Sequence, residues 1–151
     1  MSLHQRFGGG APVGLVSDLD DLEARAVACL RLWQSGAAHR RGLRNELTAR
    51  LGSSRAQHAL STLETLFDLC AQHARRPLMR HQVDCSCLGA DEACFAQFIA
   101  TAAHGEREDA MLLAMLIVRG DVAPVLTGLA QQAGLALMQA NANRPKERVL
   151  H

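Results

Sequence analysis

The longest regular amphipathic stretch of this chain is SRAQHALSTLETLFDLCAQHA, residues 54–74. Its apolar side chains return every three or four residues, which keeps them on one face of an α-helix. They are Ala56, Ala59, Leu60, Leu63, Leu66, Phe67, Cys70 and Ala74. Ser54 and Gln57 stand at capping-box spacing at the start, and Pro77 ends the pattern. The stretch predicts a helix of roughly 20 residues with one face packed against the rest of the protein.

Five further segments have helical periodicity on either side of this stretch. We expect helices near residues 18–34, 38–51, 91–103, 106–118 and 121–140. No segment alternates apolar and polar residues as a half-buried strand would. Tyr is absent and the chain holds only four Phe and one Trp, so Leu, Ala and Met must fill the core, which favours helices. The sequence predicts an all-α fold, a single-domain bundle of about six helices with short connections.

The run Met111–Val118 is apolar at every position. A helix that is apolar on all sides is typical of the middle of a bundle, and we expect this helix to be surrounded by the others. The run is too short to cross a bilayer, which takes about 20 apolar residues. The beginning, Met1–Gly14, has no apolar run long enough for a signal peptide. We therefore expect a cytoplasmic protein with no membrane partner.

The chain of 151 residues divides into three parts on this interpretation. Residues 1–16 are expected to be a flexible N-terminal segment, because glycines are frequent there. Residues 17–140 are expected to form the helical bundle domain, which includes a Cys/His loop at 77–90. Residues 141–151 are expected to form a polar C-terminal tail.

Three of the five cysteines and one histidine lie within fourteen residues, at a polar break between two helical patterns. Zinc in proteins is usually held by four such sulfur and nitrogen ligands. The candidate ligands are His81, Cys85, Cys87 and Cys94, with His73 and His104 as additional candidates. The sequence thus predicts a zinc-binding helical protein, in which a structural metal site supports a protein-interaction surface. This interpretation favours a protein that is not an enzyme and names no catalytic residue.

Two alternatives remain open at this stage. The pair Cys85 and Cys87 could close a small strained disulfide, so that the protein would carry out thiol redox chemistry. The protein could also be a metal-free helical adaptor or regulator, because unligated cysteines pack as small apolar side chains.

Such a regulator could bind nucleic acid through a basic face at 39–55. That face carries Arg40, Arg41, Arg44, Arg50 and Arg55. They surround a break between two helices, as in a helix-turn-helix. The second helix is longer and more acidic than a usual recognition helix, so nucleic acid is not the favoured partner. Self-association, as a homodimer, or a protein partner is favoured instead, with the first helix and the long third helix as the expected contact surfaces.

Overall fold

The computed structural model describes residues 12–143. Its elements are β1 (Pro12–Leu15), α1 (Asp21–Gln34), α2 (Ala37–Leu51), α3 (Ser53–His73), β2 (Cys87–Gly89), α4 (Ala90–Ala103), α5 (Arg107–Ile117) and α6 (Ala123–Ala142). The structure is 74% helical, with six helices and one small sheet in the described range. The prediction of an all-α, single-domain bundle of about six helices is therefore confirmed.

Local sequence signals set most of the helix boundaries. The Asp20 side chain caps α1 by accepting a hydrogen bond from the Glu23 amide at 2.8 Å. Only Gly52 separates α2 from α3, and its φ of 82° lies in the left-handed region that glycine enters without strain. Pro124 occupies the first turn of α6, where its missing amide costs nothing. The N-cap residue of α6 is Val122, and no side chain caps this helix.

The middle of the bundle is formed by α4 and α6, which pack directly against each other. Phe95, Phe98 and Ile99 of α4 are completely buried, as are Leu126 and Leu137 of α6. Small residues lie between these large ones, and they allow α1, α3 and α5 to approach the central pair closely. The other helices thus pack around α4 rather than around α5.

The prediction that the run Met111–Val118 lies in the middle of the bundle is wrong. Leu112 is 64% exposed and Leu116 is 68% exposed, although both belong to α5. The helix buries Ala110, Ala114 and Ile117 on one face and leaves the opposite face open. Composition could not reveal this, because α4 is also rich in apolar residues and takes the central place. None of the helices between residues 12 and 143 is long and apolar enough to span a membrane.

Residues 12–15 form a strand, although the sequence predicts a flexible segment there. This strand, β1, pairs antiparallel with β2, with Pro12 opposite Gly89 and Leu15 opposite Cys87. Strands of four and three residues are too short to show an alternating pattern, which explains why the sequence does not reveal them. Residues 1–11 and 144–151, the rest of the predicted flexible segment and most of the predicted polar tail, lie outside the described residues.

Gly134 is the point of closest approach between α4 and α6. A Cβ atom at this position would lie 2.7 Å from Ala103 Cβ and 3.0 Å from the Ile99 carbonyl oxygen. We therefore expect Gly134→Ala to force the two helices apart and to lower the free energy of unfolding by about 1–3 kcal/mol.

Gly128 provides the matched control, because it lies on the same helix and a Cβ there would meet no atom within 4 Å. Gly128→Ala should raise the free energy of unfolding by up to about 1 kcal/mol, since alanine has the higher helix propensity. Urea unfolding followed by circular dichroism measures both changes. Equal tolerance of alanine at the two positions would contradict this packing.

Candidate functional site

The segment between α3 and β2, which contains the predicted Cys/His loop, is organised around a guanidinium group. Arg31 of α1 is 2% exposed and Glu92 of α4 is completely buried. Arg31 Nε donates to Glu92 Oε2 at 2.6 Å, and Arg31 Nη2 donates to Glu92 Oε1 at 3.0 Å. This two-point pairing matches the planar shapes of the two groups and offsets their removal from water.

The remaining hydrogen bonds of this ion pair hold the main chain of the loop. Arg31 Nη1 donates to the Cys85 carbonyl oxygen and Nη2 to the Cys87 carbonyl oxygen, both at 2.7 Å. Glu92 in turn accepts from the amides of Gly89 at 3.0 Å and His81 at 3.3 Å. The loop is therefore fixed at four backbone groups by one buried cation and one buried anion.

A second carboxylate holds the beginning of the same segment. Asp91 accepts two hydrogen bonds from the Arg76 guanidinium, at 2.8 Å and 2.5 Å, and a third from the Met79 amide at 2.7 Å. Asp91 and Glu92 are adjacent in the first turn of α4, where negative charge is also favoured by the helix dipole. The two acidic residues thus anchor the entire connection from α3 to α4.

The predicted metal-binding function is wrong. Over residues 12–143, no group of three or more His, Cys, Asp and Glu side chains is placed to hold a metal ion. The sequence-predicted ligands His81, Cys85, Cys87 and Cys94 therefore do not form the expected zinc site. The physical reason is that the loop already surrounds a cation, the Arg31 guanidinium, and presents carbonyl oxygens of Cys85 and Cys87 to it.

The side chains of the predicted ligands lie in different surroundings. His81 is 3% exposed, and its Nε2 atom has no hydrogen-bond partner in the part of the chain that the structure describes. Cys85 in the loop and Cys87 at the start of β2 are free and partly exposed thiols, and Cys94 is a free, half-buried thiol of α4. The two additional candidate ligands, His73 and His104, lie elsewhere in the fold. His73 ends α3, with its Nδ1 atom 3.0 Å from Arg119 Nη2, and exposed His104 follows the end of α4.

Three of the five thiols are poorly suited to thiolate chemistry. Burial raises the pKa of the Cys29 and Cys70 thiols to about 12. Burial, together with the negative charge of Asp91, also raises the pKa of Cys94. Because the thiolate is the reactive form, these three cysteines stay protonated and unreactive at neutral pH. Cys29 and Cys70 belong to the hydrophobic core.

A groove with a volume of about 610 Å³ lies between α2 and α3. Its walls combine an aromatic ring, two guanidinium groups and several hydroxyl and amide groups. The lining residues are Trp33, Arg40, Arg44, Thr48, Ser53, Gln57, Leu60, Ser61 and Glu64. The residues of α2 recur every four positions, so they form one stripe along the helix, and those of α3 form a facing stripe.

One end of the groove is fixed by a stack of aromatic rings. Trp33 stacks on Phe67 with 5.4 Å between ring centroids, and Phe67 stacks on Phe95 at 5.6 Å. Arg40 lies over the Trp33 ring, 4.8 Å from its centroid, and donates from Nε to the Trp33 carbonyl oxygen at 2.7 Å. These contacts hold Arg40 in place without an acidic partner.

The guanidinium of Arg44 forms no ion pair or hydrogen bond with any residue from 12 to 143. Arg50 was predicted to belong to the same basic face, but its guanidinium makes contacts within the fold. It pairs with Glu46 at 3.4 Å and donates to the Ala140 carbonyl oxygen, while Glu46 also pairs with Arg25. The basic face at 39–55 therefore separates into a structural part around Glu46 and an unpaired part inside the groove.

The sequence places Arg40 and Arg44 in a basic cluster but does not reveal that they line a groove. Their spacing of four residues already places them on one helical face. The missing signal is the angle between α2 and α3, which depends on the conformation of Gly52 and on the packing of Leu43 and Leu47 in the core.

The buried ion pair gives a prediction for stability. Glu92→Gln leaves the Arg31 guanidinium buried without a counter-charge, and we expect the free energy of unfolding to fall by about 3–5 kcal/mol. Glu46→Gln is the control, since Glu46 is a partly exposed carboxylate with two arginine partners. It should cost no more than about 1 kcal/mol. Chemical denaturation of both variants tests this, and similar losses would show that burial adds nothing to the Arg31–Glu92 pair.

The same pair predicts a dependence on pH. Burial alone would raise the pKa of the Glu92 carboxyl, but hydrogen bonds from Arg31, Gly89 and His81 and the charge of Arg31 hold it below its usual value. Glu92 therefore stabilises the fold above the ordinary glutamate pKa of about 4.3. This contribution is lost as the pH falls through the lower pKa of the folded state.

The melting temperatures of the native protein and of Glu92→Gln should accordingly converge as the solution is acidified from about pH 7 to pH 3. A difference between the two proteins that stays constant over this range would contradict the assigned direction of the pKa shift.

Two features of the structure are candidates for a functional site: the polar loop around Arg31 and the groove between α2 and α3. The charged groups at the loop, Arg31 and Glu92, are occupied by each other and by main-chain groups, whereas the groove is open to solvent and holds an unpaired charge. Comparisons of the chain with models of known families, with curated proteins and with solved structures find no significant match.

Proposed function

We propose that this protein is a ligand-binding helical domain, and that the groove between α2 and α3 binds a small molecule bearing a carboxylate or phosphate group. The observation that supports this most directly is the Arg44 guanidinium, which lines the groove and has no acidic partner within the described residues. A guanidinium presents a planar array of donors that matches carboxylate and phosphate oxygens. Arg40 contributes a second positive charge on the same wall.

The size and polarity of the groove suit a small molecule. A volume of about 610 Å³ lies within the range of roughly 300–1,000 Å³ that is typical of ligand sites. Ser53, Gln57 and Ser61 supply hydrogen-bonding groups along α3, and Leu60 and Trp33 supply apolar surface. A ligand with one anionic group and a polar or partly apolar body would find a counterpart for each of its parts.

Glu64 favours a small ligand over a polyanion. Its carboxylate lines the same groove, and it has no ion-pair partner among the residues of the described range. The chain of phosphates in a nucleic acid would bring further negative charge towards Glu64 and towards exposed Asp68 on the next turn of α3. A small ligand can place its anionic group on Arg44 and direct a hydroxyl or amino group to Glu64.

Trp33 provides a direct measurement of binding. It is the one tryptophan of the chain, tyrosine is absent, and its ring lines the groove. We expect its fluorescence to change on titration with at least one member of a panel of inorganic phosphate, dicarboxylates, sugar phosphates and nucleoside monophosphates. Arg44→Gln should weaken binding by roughly 10- to 100-fold, because a hydrogen bond to a charged group is lost.

Arg41→Gln is the matched control, since Arg41 is exposed on the same helix but does not line the groove. It should leave the affinity unchanged within about twofold. Equal weakening by the two substitutions would indicate general attraction to positive charge and would overturn the site. The absence of a fluorescence response across the whole panel would overturn it as well. So would a response to duplex DNA alone with a steep dependence on salt.

A further inference from the structure

The outer face of α5 carries an apolar strip that nothing within residues 12–143 covers. Leu112 is 64% exposed, Met115 is 41% exposed and Leu116 is 68% exposed. Their spacing of three and four residues places all three on one side of the helix. Single exposed apolar residues are ordinary on protein surfaces, but a contiguous strip on one helix is typical of an interaction site.

The two ends of α5 carry opposite charges. Glu106, Glu108 and Asp109 are exposed at its N-terminal end. Arg107 is also exposed there, but it lines a small pocket with residues of α4 and α6 and so lies on the side away from the strip. At its C-terminal end, Arg75 donates from Nε to the Met115 carbonyl oxygen at 2.6 Å. Arg119 follows the last turn with 59% of its side chain exposed and lies 3.8 Å from the more exposed Asp121, which leaves an excess of positive charge at this end. These charges also interact favourably with the dipole of α5 itself. The dipole does not account for the exposed leucines between them.

We propose that a second copy of this chain covers the strip, with the two α5 helices antiparallel about a twofold axis near residue 114. In that arrangement Leu112 of each copy meets Leu116 of the other. The acidic N-terminal end of each helix then lies against Arg75 and Arg119 of the other copy. Because the strip is apolar in its middle and oppositely charged at its ends, it is complementary to itself, as a twofold interface requires.

Charge complementarity selects a second copy over a membrane surface as the occupant. An interfacial helix has lysine and arginine on its polar side, which attract anionic lipids, whereas α5 has three acidic residues at one end. The strip alone is smaller than the roughly 800 Å² per partner of a standard interface. Val125 at the start of α6 is exposed as well, at 60%. The dimer is therefore expected to dissociate on dilution.

This surface differs from the one expected from the sequence. The first and third helices, α1 and α3, place their apolar faces in the core of the bundle, where Leu30 and Leu66 are completely buried. Between residues 12 and 143, the most exposed leucines are Leu112 and Leu116 of α5 instead. The proposed dimer does not use the groove, so it is independent of the proposed ligand.

Sedimentation over a range of concentrations tests the proposal. The native protein should show a reversible monomer–dimer equilibrium. Leu112→Glu/Leu116→Glu should raise the dimer dissociation constant by more than about thirty-fold, because central apolar residues dominate such interfaces. Val13→Glu is the control, since Val13 is 59% exposed on β1, and it should leave the equilibrium unchanged. A native protein that stays monomeric at all concentrations would overturn the dimer, as would a glutamate variant that still dimerises.

Charge reversal tests the antiparallel orientation. Glu108→Arg/Asp109→Arg and Arg75→Glu/Arg119→Glu should each be monomeric, because like charges then face each other at both ends of the paired helices. Mixed in equal amounts, the two variants should form a 1:1 heterodimer, since every facing pair again has opposite signs. If the native protein dimerises but the mixture stays monomeric, this arrangement of the helices is wrong. Far-ultraviolet circular dichroism of each variant separates a lost interface from a lost fold.

Discussion

The buried pair of Arg31 and Glu92 is the interaction on which the rest of this structure depends. The two charges compensate each other only when α1 and α4 are together, and their remaining hydrogen bonds form only when the loop between α3 and β2 is also in place. Removing ions from water costs several kcal/mol each, so a partly assembled arrangement is strongly disfavoured. The pair therefore couples distant parts of the chain into one cooperative unit. Through β2 it also determines where β1 can add to the sheet.

Local features of the fold were predictable from sequence, and their arrangement was not. The stretch at 54–74 predicts α3, which the structure places at Ser53–His73. The prediction succeeds because the apolar periodicity of the stretch and the nearby Pro77 are both local signals. The position of α5 could not be predicted in this way. Both α4 and α5 are rich in apolar residues, and only the packing of the whole bundle decides which of them is central. The strand β1 depends on a partner more than 70 residues away, so no local pattern reveals it.

The Cys/His loop shows why a local cluster of ligand-type side chains was misleading. Its density suggested a bound cation, and the loop does enclose one, but the cation is Arg31, which lies 54 residues before Cys85. The groups that face it are main-chain carbonyls, which any residue type could supply. Residue identity therefore carried little information about this contact. The groove could not be predicted because its lining residues are of types that are common on protein surfaces. Only the packing of α2 beside α3 brings them together.

The single glycine between α2 and α3 has a further consequence for the groove. The wall formed by Trp33 and α3 is rigid, because the stack of Trp33, Phe67 and Phe95 continues it into the core. The wall formed by α2 joins α3 through Gly52 alone, with φ at 82°. The clearance between the two helices thus depends on this backbone torsion together with the packing of Leu43 and Leu47 in the core. A side chain at that position would alter which molecules fit, without changing any atom that touches them.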